Sequence, residues 1–353
     1  MAKPLLYPVG EEALHWLLAS GRPERAGPGH MLLQRWQAFW FEINLSAQRE
    51  RIPLPSPPTD PLFVLGLWRS GTTLLHELLS SHSRLQFIDT WQSMHPSTFR
   101  LNSPPKDVRS MARPMDGMLI ETHSPQEDEF ALLSLGVPSV YRGFFDPRRL
   151  PELELLLQPS YWSPDEPKGW SRTWLDFLSM AIAEPKRRLI LKSPAHTFRI
   201  AALKALFPHA SYVWLVRDPI DTFHSNRKMW LAMFDRYALW KWDISILDKF
   251  LSTAIAFAAQ DLSAFARQTP REQLVVLDFK TLVRDKVVTV KTICERLAIG
   301  DFNDSINAVE QRSKAGASHV SDHYESFQVP PIAIDALERL RVAQAAAVAS
   351  HGL

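Results

Sequence analysis

Apolar residues recur along this chain in two rhythms. Short unbroken runs have the length of buried strands: Phe63-Val64-Leu65, Leu85 to Ile88, Arg188 to Leu191, Ser211 to Val216 and Gln273 to Leu277. Longer stretches carry apolar residues at helical spacing. Leu74, Leu75, Leu78 and Leu79 follow the first run, and similar patterns cover Trp170 to Ala183, Ser245 to Arg267, Lys280 to Leu297 and Ile332 to Ala349. Strands alternating with helices predict βαβ units, hence a central parallel sheet with helices on both faces. Ligands in such folds sit beyond the carboxyl ends of the strands.

Outside that alternation the pattern changes. Glu11 to Ala19 and His30 to Arg49 read as helices before the first strand, and the second places Leu32, Leu33, Trp36, Phe39, Trp40 and Ile43 on one face. That face is expected to dock on the core, with a membrane surface or a partner helix as the alternative. The proline-rich stretch Ile52 to Pro61 separates this extension from the rest. Asn102 to Met118 is polar and aperiodic, which suggests a long surface loop or lid. Ser124 and Pro125 read as the N-cap and first residue of a helix, so Glu127, Asp128 and Glu129 fall in a first turn, where the helix dipole favours acids. Another proline-rich break runs from Gln158 to Pro167. The expected division is 1–60 for the helical extension and connector, 61–300 for the α/β core and 301–353 for a C-terminal segment packed on it.

Composition narrows the function. Forty basic side chains against 38 acidic ones leave a net charge of +2, which gives no support to bulk electrostatic binding of nucleic acid. No apolar run approaches the length of a membrane span, and the first residues hold no sustained apolar stretch before Glu11 and Glu12. A cytoplasmic protein without a signal peptide is expected. Cys294 is the only cysteine; it shares a stripe with Val287, Val290, Ile293 and Leu297 and is expected to be buried. The sequence leaves the oligomeric state open.

Chemistry concentrates after the first strand. Gly66 and Gly71 enclose four residues and precede Thr72 and Thr73, the spacing of a Walker A phosphate loop. Thr72 stands where a nucleotidase needs lysine, so a triphosphate would lose its cation, and a different phosphate-bearing ligand is expected. Two further strands end in basic residues, Lys192 and Arg217, at the same edge of the predicted sheet. Asp218 and Pro219 then cap and open a helix that places Thr222 and Ser225 on one face.

Arg69-Ser70-Gly71-Thr72-Thr73 resembles the loop of PAPS-dependent sulfotransferases that holds the 5′-phosphosulfate of 3′-phosphoadenosine 5′-phosphosulfate (PAPS). Lys192-Ser193-Pro194-Ala195-His196 resembles the bacterial branch of that family, and Arg217-Asp218-Pro219 with Ser225 its 3′-phosphate segment. A looser echo is Val275 to Val283, and the resemblance covers roughly Leu62 to Leu297. It implies a P-loop NTPase-like three-layer fold and transfer of a sulfuryl group from PAPS to a hydroxyl acceptor. The transfer would be in-line, with a general base activating the acceptor. Arg69, Ser70, Gly71, Thr72, Thr73 and Lys192 would hold the phosphosulfate, and Arg217 and Ser225 the 3′-phosphate. His196 is the first choice of base and Glu127 the second. No metal ion is expected, because cationic side chains can cover the charge. The acceptor could be a small molecule, a glycan or a lipid, contacted by the Asn102 to Met118 loop and by Trp230, Phe234, Trp240 and Trp242, which fit a core equally well. The alternatives are a nucleotide-dependent kinase, disfavoured by Thr72, and a non-catalytic nucleotide-binding protein of the same fold.

Overall fold

The short apolar runs become strands because each is buried on both faces of one sheet. The computed structural model describes residues 9–51, 56–104, 110–113, 116–162, 169–315 and 328–353. β1 (Leu62–Leu65) and β2 (Leu85–Phe87) belong to the central sheet, while β3 (Met111–Ala112) and β4 (Leu119–Ile120) pair as a separate antiparallel hairpin. β5 (Arg188–Lys192), β6 (Ser211–Val216) and β7 (Leu274–Asp278) complete the central sheet, in the order β2-β5-β1-β6-β7, all parallel. The register sets Phe63 beside Leu191 and Leu65 beside Trp214. The ends of β1, β5 and β6 therefore lie side by side, and they deliver the Gly66 turn, Lys192 and Arg217 to one edge.

The helices are α1 (Glu11–Leu18), α2 (Pro28–Arg51), α3 (Thr72–Ser80), α4 (Thr90–Met94), α5 (Glu129–Ser134), α6 (Leu150–Leu153) and α7 (Trp170–Ala181). They continue with α8 (Ile200–Leu206), α9 (Pro219–Tyr237), α10 (Ile244–Gln268), α11 (Phe279–Arg284), α12 (Lys286–Arg296), α13 (Ile306–Ala315) and α14 (Ile334–His351). Alternation along the strands builds two core layers. Phe63 and Leu65 face a large aromatic layer that includes Trp174, Leu203 and Phe265. Leu62 and Val64 face a smaller one with Leu75, Val290, Ile293 and Cys294. Cys294 is buried, and burial pushes its thiol up to about 12. Trp230, Phe234 and Trp240 are core residues, with Trp242 packed against that layer.

Several boundaries differ from the sequence reading. The stretch expected as one helix from Lys280 is two, because Asp285 leaves the helical conformation and its side chain caps α12 at Val288 N. The segment after Lys192, for which the apolar pattern gave no boundary, is a 3-10 turn, Pro194–Phe198, and then α8. Part of the expected Asn102 to Met118 loop is the β3–β4 hairpin; 105–109 and 114–115 lie outside the described residues. So does 316–327.

The larger departure concerns α2. The face holding Leu32, Trp36 and Phe39 does not dock on the core; those side chains are exposed. The opposite face docks, through Gln34, Ala38, Phe41, Leu45 and Gln48. Gln48 explains the choice: its amide donates to Pro96 O at 2.9 Å and accepts from Arg100 N at 2.9 Å, so a polar side chain anchors the helix.

Candidate active site

The loop after β1 is shaped by residues in the left-handed region. Gly66 has φ 137°, and a Cβ there would stand 2.7 Å from Leu215 O and 2.8 Å from Ser70 Oγ. Gly71 has φ 101° and passes so close to the Phe279 ring that any side chain would overlap it. Thr197 ties the turn down, accepting from Gly66 N at 2.9 Å and donating to Gly66 O at 3.1 Å. Among the described residues no side chain caps α3 at Gly71. The helices after β6 and β7 differ: Asp218 accepts from Ile220 N and Asp221 N, and Asp278 from Lys280 N. The α3 N-terminus therefore keeps its first N–H groups for an anion, with the positive end of the helix behind them.

Two groups of side chains gather at this loop. In the first, Lys192 Nζ lies 2.7 Å from Glu127 Oε1 and 3.4 Å from Thr73 Oγ1. Burial pulls the Lys192 ammonium below the usual lysine range, and the Glu127 carboxylate works against that pull. In the second, Arg69 Nε donates to Ser225 Oγ at 3.1 Å, and its fork reaches Asp116 Oδ2 at 2.8 Å. Arg217 Nη1 donates to Arg69 O at 3.1 Å, with the guanidinium stacked 5.1 Å from the Phe279 ring centre. Ser70 and Thr72 are buried within the turn. Thr222 is turned away, its hydroxyl donating to Asp218 O at 2.8 Å, so Ser225 alone of that pair meets the basic groups.

The acids are not in one helical turn. α5 begins at Glu129, not Pro125. Gln126 N donates to Ile88 O at 2.8 Å, and Thr90 N and Trp91 N bond back to Ser124 O and Thr122 O. That pairing holds 124–126 out of the helix, and Asp128 rather than Ser124 precedes it. Each acid consequently meets a different base. Glu127 pairs with Lys192, Asp128 with His196 (Oδ2 to Nε2, 2.9 Å), and Glu129 with Arg199 through two bonds of 2.7 and 2.9 Å.

His196 is fully buried. Its Nε2 lies within reach of both Asp128 oxygens, so that nitrogen carries the proton, while Nδ1 meets no hydrogen-bond partner among the described residues. Trp174 Nε1 donates to Asp128 Oδ2 at 2.7 Å. Burial works to raise the Asp128 carboxyl, but its imidazole and indole partners outweigh it and hold the group below the usual carboxylate range. His196 thus sits beneath the loop on an internal acid, against the aromatic rings of Phe63 and Trp174. Glu127 keeps 13% of its side chain exposed.

Sequence reading missed Tyr141 and Trp68. Tyr141 OH donates to Glu127 Oε2 at 2.6 Å and accepts from Trp68 Nε1 at 3.0 Å. Burial, then the Glu127 charge, pushes this phenol well above its usual range, so it remains a donor. His76, one turn into α3, was missed too: burial first, then the Lys192 charge, lowers it to about 3, leaving a neutral imidazole. Tyr141 lies on a 3-10 turn (Val140–Phe144) with no motif around it, so nothing in the sequence marked it.

These residues form an anion cradle with cations on two sides and a carboxylate at its edge, and a family model described as the sulfotransferase family matches 61–304. The chain belongs to that family. Omega-hydroxy-beta-dihydromenaquinone-9 sulfotransferase Stf3 of Mycobacterium bovis is 29% identical over 291 residues, covering 81% of this chain and 74% of that protein. The Stf3 protein of Mycobacterium tuberculosis matches to the same extent. Among solved structures, sulfotransferase STF1 from Mycobacterium tuberculosis superposes with a TM-score of 0.59 at 19% identity, covering 93% of this chain and 91% of that one. Sulfotransferase STF9 from Mycobacterium avium gives 0.59 at 18% identity, covering 98% and 88%. These structures confirm the P-loop NTPase-like fold. The protein is a sulfotransferase enzyme, and the kinase alternative is not favoured. Among the described residues no helix is long and apolar enough to cross a membrane.

Proposed function

We propose that this sulfotransferase takes its sulfuryl group from PAPS and delivers it in-line to an alcohol on an apolar, lipid-like acceptor. PAPS supplies a sulfuryl group on a phosphate leaving group. The residues suit such a ligand: the uncapped start of α3 with Ser70, Gly71, Thr72 and Thr73 would take its phosphosulfate, and Lys192 would neutralise charge beside Thr73. Arg217 and Ser225 would take the 3′-phosphate, with Arg69 between the two ends. These cations would cover the charge without a metal ion.

The observation that carries this reading is the Glu127 carboxylate, held between Lys192 Nζ at 2.7 Å and Tyr141 OH at 2.6 Å. Two fixed donors orient the carboxylate at the edge of the cradle. Glu127 would accept the proton of the acceptor hydroxyl, so it replaces His196 as first choice of base. His196 would position it, by anchoring the adjacent Asp128. The 29% identity to an enzyme named for a hydroxylated menaquinone supports the lipid-like acceptor.

The test is a screen with labelled PAPS against lipid extracts and water-soluble alcohols, read by mass shift. Label on an apolar alcohol is expected; label only on sugars or phenols would overturn the acceptor class. Adenosine 3′,5′-bisphosphate should raise the melting temperature well above the effect of magnesium ATP, since a ligand of the folded state stabilises it. Equal or greater stabilisation by ATP would overturn the donor assignment.

A further inference from the structure

We infer that the outer face of α2 docks on a lipid surface and lays the enzyme against it without crossing it. Over Leu32 to Ile43 the helix presents Leu32, Leu33, Trp36, Phe39, Trp40 and Ile43 on one side, and all six are exposed. Leu32 is 71% exposed, Trp36 59% and Phe39 53%. At 100° per residue these six fall within one arc of about 120°, opposite the stripe that packs on the protein. No charged residue lies inside the arc between Leu32 and Ile43. The rings are already gathered: Phe39 and Trp40 meet edge to face at 5.7 Å, and Trp36 and Trp40 at 6.3 Å. Helices that lie in a membrane interface carry this kind of face, with tryptophan and phenylalanine at the level of the head groups.

Area and charge decide between occupants. The six side chains expose roughly 600 Å² in all, as large as the largest patch of a typical monomer. A standard protein interface needs about 800 Å² from each partner, mixed with a polar rim. A second copy meeting this one across a convex helix would fall short of that, whereas a lipid surface sets no such threshold. The charges on α2 nearly cancel, Arg35, Arg49 and Arg51 against Glu42 and Glu50, so they single out neither an acidic nor a basic partner. The lipid surface is therefore engaged by apolar contact, and its head-group charge is secondary.

The position of α2 fits delivery of an acceptor from such a surface. Gln48 holds Pro96 and Arg100, just beyond α4, and Ser93 in α4 donates to Glu127 O at 2.5 Å. α2 thus flanks the Glu127 side of the cradle. This last step rests on the lipid-like acceptor proposed above; the docking does not.

The test is co-sedimentation of the full chain with neutral phosphatidylcholine vesicles, without donor or acceptor. Binding is expected, changing little between low and high salt and little on adding anionic lipid. Trp36→Glu with Phe39→Glu should weaken it at least ~100-fold, about tenfold for each aromatic ring that no longer enters the lipid. Because both positions are exposed, the variant should keep the wild-type melting temperature and its turnover of a dispersed, short-chain alcohol. No vesicle binding by the wild type would overturn the inference, as would binding only to anionic vesicles at low salt. A wild-type dimer that the variant dissociates, with no vesicle binding, would assign the face to a second copy instead. Vesicle binding with no sulfation of any lipid alcohol would leave the docking standing and sink the acceptor proposal, so the two fail separately.

Discussion

The Lys192–Glu127 pair and the two pairs behind it, His196–Asp128 and Arg199–Glu129, come from the same two stretches of chain but sit in different surroundings. The rear pairs are sealed: neither partner in either pair is more than 1% exposed. Their partners are spent internally, Asp128 also accepting from Trp174 and the Arg199 guanidinium stacking 3.9 Å from the Trp162 ring centre. The front pair opens onto the phosphate loop, and its carboxylate is shared with Tyr141. A buried ion pair is costly to break, because the survivor keeps its charge without its partner. The rear pairs therefore fix the geometry, and the front pair remains free to meet a ligand.

That contrast can be broken most directly in stability. Asp128→Asn and Glu129→Gln should each destabilise the fold by about 3–5 kcal/mol in urea unfolding. Glu127→Gln also leaves a buried cation, Lys192, but at the open edge of the cradle, so it should cost measurably less than either. Equal losses at all three positions would erase the distinction.

Arg217 extends the comparison to the other end of the cradle, where the cation is also expected to meet ligand. Charge-assisted hydrogen bonds contribute about 1.5–3 kcal/mol each, roughly 10–150-fold in affinity. Arg217→Ala should weaken adenosine 3′,5′-bisphosphate by that factor in calorimetry and adenosine 5′-monophosphate far less. An equal loss for both would remove Arg217 from the 3′-phosphate.

The smallest effect belongs to an acid left without a base. Asp261 Oδ2 in α10 is buried with no hydrogen-bond partner among the described residues, and burial raises the carboxyl to about 7. The folded state thus holds a proton that the unfolded chain, titrating near 4, has lost. Stability should fall as pH rises from about 4 to 7, and Asp261→Asn should cancel that slope. The variant should melt several degrees above wild type at pH 8 and equal to it at pH 4. A melting temperature independent of the substitution at pH 8 would show that Asp261 ionises freely.

Much of this was legible in the sequence because it depends on local pattern. The five buried runs are the strands of the sheet, and the glycine spacing marks a loop that only positive φ can form. Lys192 and Arg217 stand at strand ends, where the topology gathers them. What the sequence hid is set by contacts between distant segments. Glu127, Asp128 and Glu129 look alike in a row, and only pairing of 124–126 with the chain around Ile88 and Thr90 turns them toward different partners. Tyr141 and Trp68 join Glu127 from other parts of the chain. The apolar face of α2 was visible, but two sides of that helix can bury, and Gln48 decided which one did.

On the proposed mechanism the front pair does the chemistry and the rear pairs hold it in place. Single-turnover rates at saturating donor, measured side by side for wild type, Glu127→Gln and His196→Gln, test it most directly. Each should be normalised to the fraction of protein that binds adenosine 3′,5′-bisphosphate, so that unfolded His196→Gln does not count. Loss of the base should slow Glu127→Gln by about 10²–10⁴-fold with donor affinity nearly unchanged, while folded His196→Gln stays within about tenfold of wild type. A full rate in Glu127→Gln, with the large loss found in His196→Gln, would return the base to the buried histidine.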